Sequence, residues 1–219
     1  MLKEMTKRFL PKDFFDLSSF RHRSLFFEDT SVWESLSNLF PYLEQLPLGK
    51  VCIDLPAHAF FAKQHLVFIG EGTVLQPTAY LEGPCYIGRQ CMIGHGAYIR
   101  PGVVLGDGCV IGHGTEVKES ILLDRVRLAH FNYVGNSILG HEVSGGAGAV
   151  CANFLLNQRQ VSVRLKDGEI VTHLDKLGAI VGDGSQLGCN SVINPGVLLR
   201  KNTRCHPCSS WKRSNIPAD

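Results

Sequence analysis

An all-β fold is predicted by this sequence: a left-handed parallel β-helix of hexapeptide repeats, with a small N-terminal helical segment and an inserted β-hairpin. Three observations predict it. An apolar residue recurs at every sixth position, at Ile69, Leu75, Leu81, Ile87, Ile93, Ile99, Leu105, Ile111, Val117 and Leu123, and again at Val181, Leu187, Ile193 and Leu199. The fourth residue after it is small in most repeats, as at Thr73, Ala79, Cys85, Cys91, Ala97, Cys109 and Thr115. Composition breaks near His65: nine of the twelve Phe precede it, and Gly rises after it. A period of six fits neither an amphipathic helix nor an alternating strand. It fits three hexapeptides closing one triangular coil of about 18 residues, with the large residue inside and the small one packed beside it. Coils of this kind stack at about 4.8 Å and wind left-handed, against the usual crossover rule.

The elements follow in order. Residues 1–65 form a helical or irregular cap. Within it Ser31 stands three before Glu34, a capping-box spacing, and Val32, Leu36, Leu39 and Leu43 share one face. Pro41 has no N–H and breaks a helix, so one helix is expected to about Leu39 and a short second one from Pro41. Residues 66–209 form the β-helix. Its repeat fails between about 155 and 176, where VSVRLKDGEIVTH alternates apolar and polar residues around Asp167-Gly168. That pattern predicts a hairpin with a tight turn that projects from the column. Residues 210–219 are a tail.

Charge and composition narrow the function. The chain has 219 residues, a net charge of +2 and no long basic run, so phosphate-backbone binding to nucleic acid is not expected. No apolar run is long enough to span a bilayer, and the N-terminus lacks the apolar core of a secretory signal. Eight dispersed cysteines in such a chain are expected to be reduced thiols in a cytoplasm. Cys85, Cys91 and Cys109 hold the small inward position and are expected to be buried and inert. Cys205 and Cys208 form a lone CxxC, for which a structural role is expected over a redox or zinc role. No Gly-rich phosphate loop on a Rossmann-like sheet is visible, so no nucleotidyltransferase domain is expected.

Spacing gives candidate site residues. Arg100 and Lys118 are three hexapeptides apart and stack on one edge, where two like charges are costly unless an anion lies between them. On spacing alone, two solvated surface charges are favoured over a phosphate site. His130 follows an inward residue on another edge and stacks over Gly112 and Gly94 in an ideal prism. The coil register also slips near here, so either that slip brings His130 to the Arg100/Lys118 pair or neighbouring subunits complete the pocket, and a trimer with shared sites is expected. His95 and His113, both in IGHG, also stack; corner residues are expected over a zinc site completed by a neighbour. His141, His173 and His206 receive no role.

The stretch from about Leu81 to Pro207 resembles the acetyltransferase domain of the bifunctional N-acetylglucosamine-1-phosphate uridyltransferase/glucosamine-1-phosphate acetyltransferase family, in its stand-alone, pyrophosphorylase-related form. The matching motifs are LEGPCYIG, AYIRPGVVLGDGCVIGHGTEVKES, AHFNYVGNSILG, GGAGAVCANF and KLGAIVGDGSQLGCNSVINPG. The resemblance implies transfer of acetyl from acetyl-CoA to the amine of a hexosamine-1-phosphate, by a cytoplasmic homotrimer with no metal. It implies His130 as general base, Tyr133 and Asn153 at the amino sugar, and Arg100 and Lys118 at the sugar phosphate. Gly146, Ala147 and Gly148 would bring backbone N–H groups to the thioester, and coenzyme A would lie along the groove between columns, reaching toward the hairpin. An imidazole takes up a proton near neutrality, as deprotonation of a sugar ammonium requires, and N–H donors stabilise a thioester oxyanion. The chain departs from the family pattern at Ser144, Gly145, Ala149, Phe154, Arg159 and Ser162. Two other readings stay open on the sequence: a catalytically degenerate trimeric sugar-phosphate-binding or scaffold protein, and a zinc hydro-lyase built on His95 and His113.

Overall fold

The structure, a computed structural model, describes residues 9–166 and 168–216. Short strands follow one another along the chain, and each pairs in parallel with the strand one coil away. The chain thus winds into a left-handed, three-sided β-helix with one eight-stranded and two seven-stranded faces. The first face runs from Phe60–Ala62 to Ser210–Trp211, the second from Val67–Ile69 to Leu198–Leu199, and the third from Val74–Leu75 to Arg204–Cys205. The ladder begins before the 65/66 boundary suggested by composition, and Ser210–Trp211 is a rung of it rather than tail.

The interior is a stack of the hexapeptide residues, among them Ile69, Leu81, Ile93, Leu105, Val117 and Leu199, all fully buried. The small positions sit beside them, and Cys85, Cys91 and Cys109 are buried as expected. Burial pushes the Cys85 thiol up to about 12. The register slip expected near His130 begins earlier, before Leu122. Leu122, not Leu123, points inward, while Leu123 joins a second apolar cluster outside the column. The cause is a corner shortened by one residue. Glu119 turns it with φ 45°, and one coil later Asn136 turns the same corner with φ 44°. Two coils therefore advance by 17 residues, Val117 pairing with Val134 and Val134 with Cys151.

The second face is apolar on its outside as well. Tyr86, Val104, Ile121, Ile138, Ile180 and Leu198 form an outward row that the N-terminal segment and the hairpin cover. In that segment α1 (Pro11–Phe14), α2 (Glu34–Ser37) and α3 (Leu39–Glu44) carry Phe14, Leu39 and Leu43 into the cluster. The capping box at Ser31 does not form: α2 starts after Trp33, and Ser31 contributes only its carbonyl to the Glu34 N–H. Pro41 lies inside the first turn of α3, where its missing N–H would have had no helical partner. His141 pins the segment to the column, with Nε2 2.9 Å from the Asp16 carbonyl oxygen and Nδ1 accepting from the Asp124 N–H.

The hairpin pairs Val161–Arg164 with Glu169–Leu174. It does not project. Val161, Val163 and Ile170 are buried in the same cluster, and the Ser214 N–H donates to the Arg164 carbonyl. The alternation that marked it as a hairpin is also what gives it a buried face. Asp167, at the expected turn, lies outside the described residues.

His22 stands in the joint between segment and column, 1% exposed, with Nδ1 2.8 Å from Tyr42 Oη and its ring edge-on to Tyr86. Burial, reinforced by Arg21, lowers its pKa to about 4. A depressed histidine stabilises the fold fully above its unfolded pKa near 6.5 and loses that contribution as pH falls through 4, by roughly 3 kcal/mol at most. Urea midpoints are expected to fall between pH 7 and 4 more steeply for wild type than for His22→Gln. Equal slopes would remove His22 from the joint.

Candidate active site on the first face

The first face and the corners flanking it bring together most of the polar residues singled out by spacing. Tyr98, Glu116 and Tyr133 form successive rungs of one outward row. Arg100 and Lys118 form the neighbouring row: the Arg100 N–H bonds to the Val117 carbonyl, and Lys118 pairs with Gly135. Neither cation is uncompensated. Arg100 Nη1 lies 2.8 Å from Glu116 Oε1, and Lys118 Nζ 3.1 Å from Glu119 Oε1. The hydrogen bond to Glu116 raises the Arg100 pKa further. The repulsion anticipated for a bare stacked pair is thus relieved within the chain.

Tyr133 and Asn153 meet, with the phenol Oη 3.4 Å from Asn153 Oδ1. Partial burial, and then the charge of Glu116, raises the Tyr133 pKa, so the phenol is a neutral hydrogen-bond donor at pH 7. Glu116, Glu119 and Asn136 were not picked out from sequence. Their signal was the one-residue shortening of the corner, which sets Glu119, Asn136 and Asn153 one above another at spacings of 17.

His130 lies at the opposite rim of the face, exposed, at the end of the strand Arg127–His130. The shortened coil moves it by one position. It pairs with His113, not Gly112, and so continues the column of His95 and His113. His130 ends a third-face strand at one corner of the first face, and Gly135, the rung next to Lys118, ends the first-face strand at the other. The corner at Phe131, φ 51°, lies between, and among the described residues no hydrogen bond joins His130 to either cation. The rings of His95 and His113 are stacked 4.9 Å apart at 7°, and His113 Nδ1 faces the His95 carbonyl oxygen at 2.8 Å. Parallel rings do not converge on one point. Among the described residues no three His, Cys, Asp or Glu are grouped to hold a metal ion.

The Gly-Ala-Gly turn is one coil beyond His130. The Gly146 N–H bonds to the Leu187 carbonyl and the Gly148 N–H to that of His130. Of the three expected donors only Ala147 has an N–H without a protein acceptor among the described residues. The glycines themselves are needed for stacking, because a Cβ on Gly146 would meet the Cys189 backbone nitrogen at 2.6 Å. Ala149 is buried in the interior, so this departure alters packing and not a ligand contact. The CxxC thiols are split: Cys205 is buried, with a pKa raised to about 11, and Cys208 is exposed.

Residues 81–174 match the family described as GMPPB C-terminal domain, and residues 178–204 match the hexapeptide repeat of succinyl-transferase. The solenoid is built on hexapeptide repeats and is similar to these domains over that stretch. The bifunctional sugar-1-phosphate nucleotidylyltransferase/acetyltransferase of Sulfurisphaera tokodaii is 36% identical over 90 residues, which is 41% of this chain and 22% of that protein. The bifunctional protein GlmU of Methanococcus maripaludis is 37% identical over 86 residues, 39% of this chain and 21% of that protein. The uncharacterized acetyltransferase YaiX of Escherichia coli is 35% identical over 86 residues, 39% of this chain and 37% of that protein. The chain thus spans about a fifth of the two bifunctional relatives. The polysialic acid O-acetyltransferase OatWY aligns over 73% of this chain and 78% of its own, at 18% identity and a TM-score of 0.28, a likeness too loose to carry an argument. No helix among the described residues is long and apolar enough to cross a membrane.

Proposed function

We propose that the protein transfers acetyl from acetyl-CoA to the amine of a hexosamine-1-phosphate, as a cytoplasmic homotrimer. The observation that carries this reading is the meeting of Tyr133 and Asn153 on the face that bears Arg100 and Lys118, within the GlmU-related stretch. The columns stand side by side, so that His130 of one copy faces the Arg100/Lys118 rim of the next. His130 takes the proton from the sugar ammonium. The freed nitrogen attacks the thioester carbon, the C–S bond breaks, and the nitrogen's surplus proton passes to the departing thiolate, so that the amide and the coenzyme A thiol are formed and His130 releases its proton to solvent. The Ala147 N–H is the donor placed for the transient oxyanion. Arg100 and Lys118 receive the sugar phosphate by exchanging Glu116 and Glu119 for it.

That exchange also favours a second reading. Two cations already paired with carboxylates suit a degenerate scaffold, because a phosphate must displace existing ion pairs to bind. Incubating the protein with acetyl-CoA and glucosamine-1-phosphate, galactosamine-1-phosphate or the unphosphorylated sugars, with product read by mass spectrometry, separates the two. An N-acetylated hexosamine-1-phosphate is expected. No product from any amine leaves the scaffold reading.

A further inference from the structure

The atoms that fix the polarity of the Asn153 amide come from Asn136, which has no assigned role, and from Glu119, whose other oxygen holds Lys118. Glu119, Asn136 and Asn153 stack at the corner between the first and second faces. Asn136 Nδ2 donates to Glu119 Oε2 at 2.7 Å, and Asn153 Nδ2 donates to Asn136 Oδ1 at 2.6 Å. The order of these bonds follows from their first member. An ionised carboxylate only accepts, so the end of Asn136 that faces Glu119 must be its NH₂. The end facing Asn153 is then a carbonyl, and the Asn153 atom opposite it must be the NH₂. Asn153 Oδ1 is left at the Tyr133 side. Asn136 and Asn153 are 8% and 9% exposed, so a flipped amide would lose its partner with little water to replace it. Gly135 leaves room for the arrangement: a Cβ there would meet Tyr133 Oη at 2.7 Å and Asn153 Cγ at 2.8 Å.

We infer that Glu119 and Asn136 are positioning residues that hold Asn153 with its carbonyl oxygen toward the first face beside Tyr133, so that the site selects a ligand group that donates hydrogen bonds, an amine or hydroxyl, over one that only accepts. This rests on the acetyl-transfer reading for its ligand, and not for the relay itself. It predicts a rescue that a structural role would not give. In Glu119→Gln, the side chain at position 119 donates as readily as it accepts, and the order of the bonds is released. In the double variant Glu119→Gln/Asn136→Asp the carboxylate moves to the middle of the stack. It accepts from the introduced amide on one side and from Asn153 Nδ2 on the other, and the order is restored. An aspartate tolerates the left-handed backbone at position 136.

The test compares the full-length wild type, the single variant and the double variant in two readouts. In acetyl transfer to glucosamine-1-phosphate, both variants lack the carboxylate that holds Lys118 and are compared with each other: the amine KM of Glu119→Gln is expected to lie about tenfold above that of the double variant, with kcat and the KM of acetyl-CoA alike in the two. In ¹⁵N-edited NMR, with Asn153 assigned by Asn153→Asp, its side-chain NH₂ is expected to give one set of signals in wild type, two in Glu119→Gln and one in the double variant. Loss of activity in wild type with the NMR pattern intact would overturn the acetyl-transfer reading and leave the relay. One unchanged NMR set in Glu119→Gln, or an amine KM in the double variant no better than in the single one, would overturn the relay.

Discussion

Acetyl transfer falls by about 10²–10⁴-fold when His130 becomes alanine, the loss typical of a positioned general base. The stability of the protein is unchanged in this variant, because His130 is exposed and its backbone, not its ring, makes the ladder bonds to the neighbouring coils. The KM for acetyl-CoA is unchanged as well, since the thioester is met by the Ala147 turn. Steady-state kinetics of the purified variant, beside its thermal melt, check both statements. Turnover equal to wild type would take the proton-accepting role from His130. A matching fall in melting temperature would make the residue structural. His95→Ala and His113→Ala, in the same column but two and one coils further from the turn, are expected to retain turnover.

The second large effect is on stability. Gly112 lies against Ala129, between the paired rungs 111/128 and 113/130, and a Cβ on Gly112 would overlap the Ala129 carbonyl oxygen and lie 2.8 Å from its Cα. The obstacle is backbone, so truncating a neighbouring side chain gives no relief. Gly112→Ala is expected to destabilise by roughly 3 kcal/mol, a drop in melting temperature of about 6–12 °C for a chain of this size. Because residues 113 and 130 form the next rung, the same change moves His130 and lowers activity. A melt within a degree or two of wild type would mean that the coil at Gly112 is not shortened as described.

The column was legible because its signal is one-dimensional. A large apolar residue every sixth position has few other structural meanings, and Ile69 to Val117 hold that register without a break. That the register slips near His130 was legible, but not where the slip begins. Glu119 and Asn136 turn five-residue corners in the left-handed region, and nothing in a Glu or an Asn at those positions announces a missing residue. Assuming an unbroken register placed Leu123 inside and His130 over Gly112. Both errors have that single cause. The same shortening would have been the route to the Glu119–Asn136–Asn153 stack, whose members become neighbours only at a spacing of 17.

The covered face is a second case. The outward row Val104, Ile121, Ile138, Ile180 and Leu198 is apolar at nearly every rung, which marks a face meant to be buried. Its partner is the Phe-rich segment, and the hairpin follows it onto the same surface. Reading the hairpin as projecting ignored this row. At the site, the stacking of Arg100 on Lys118 followed from spacing, but their partners did not. Glu116 and Glu119 flank Lys118 in sequence and reach in different directions, one across the face to Arg100 and one back around the corner.

The claim on which the mechanism depends is that His130 of one copy serves the Arg100 and Lys118 of another, since the two groups stand at opposite rims of the face in a single column. Subunit mixing addresses it directly. His130→Ala and Arg100→Ala/Lys118→Ala are each expected to be inactive, and unfolding and refolding them together is expected to recover acetyl transfer through sites that combine an intact His130 with an intact cation pair. Activity in the mixture no greater than the sum of the two separate variants would contradict a site shared between copies.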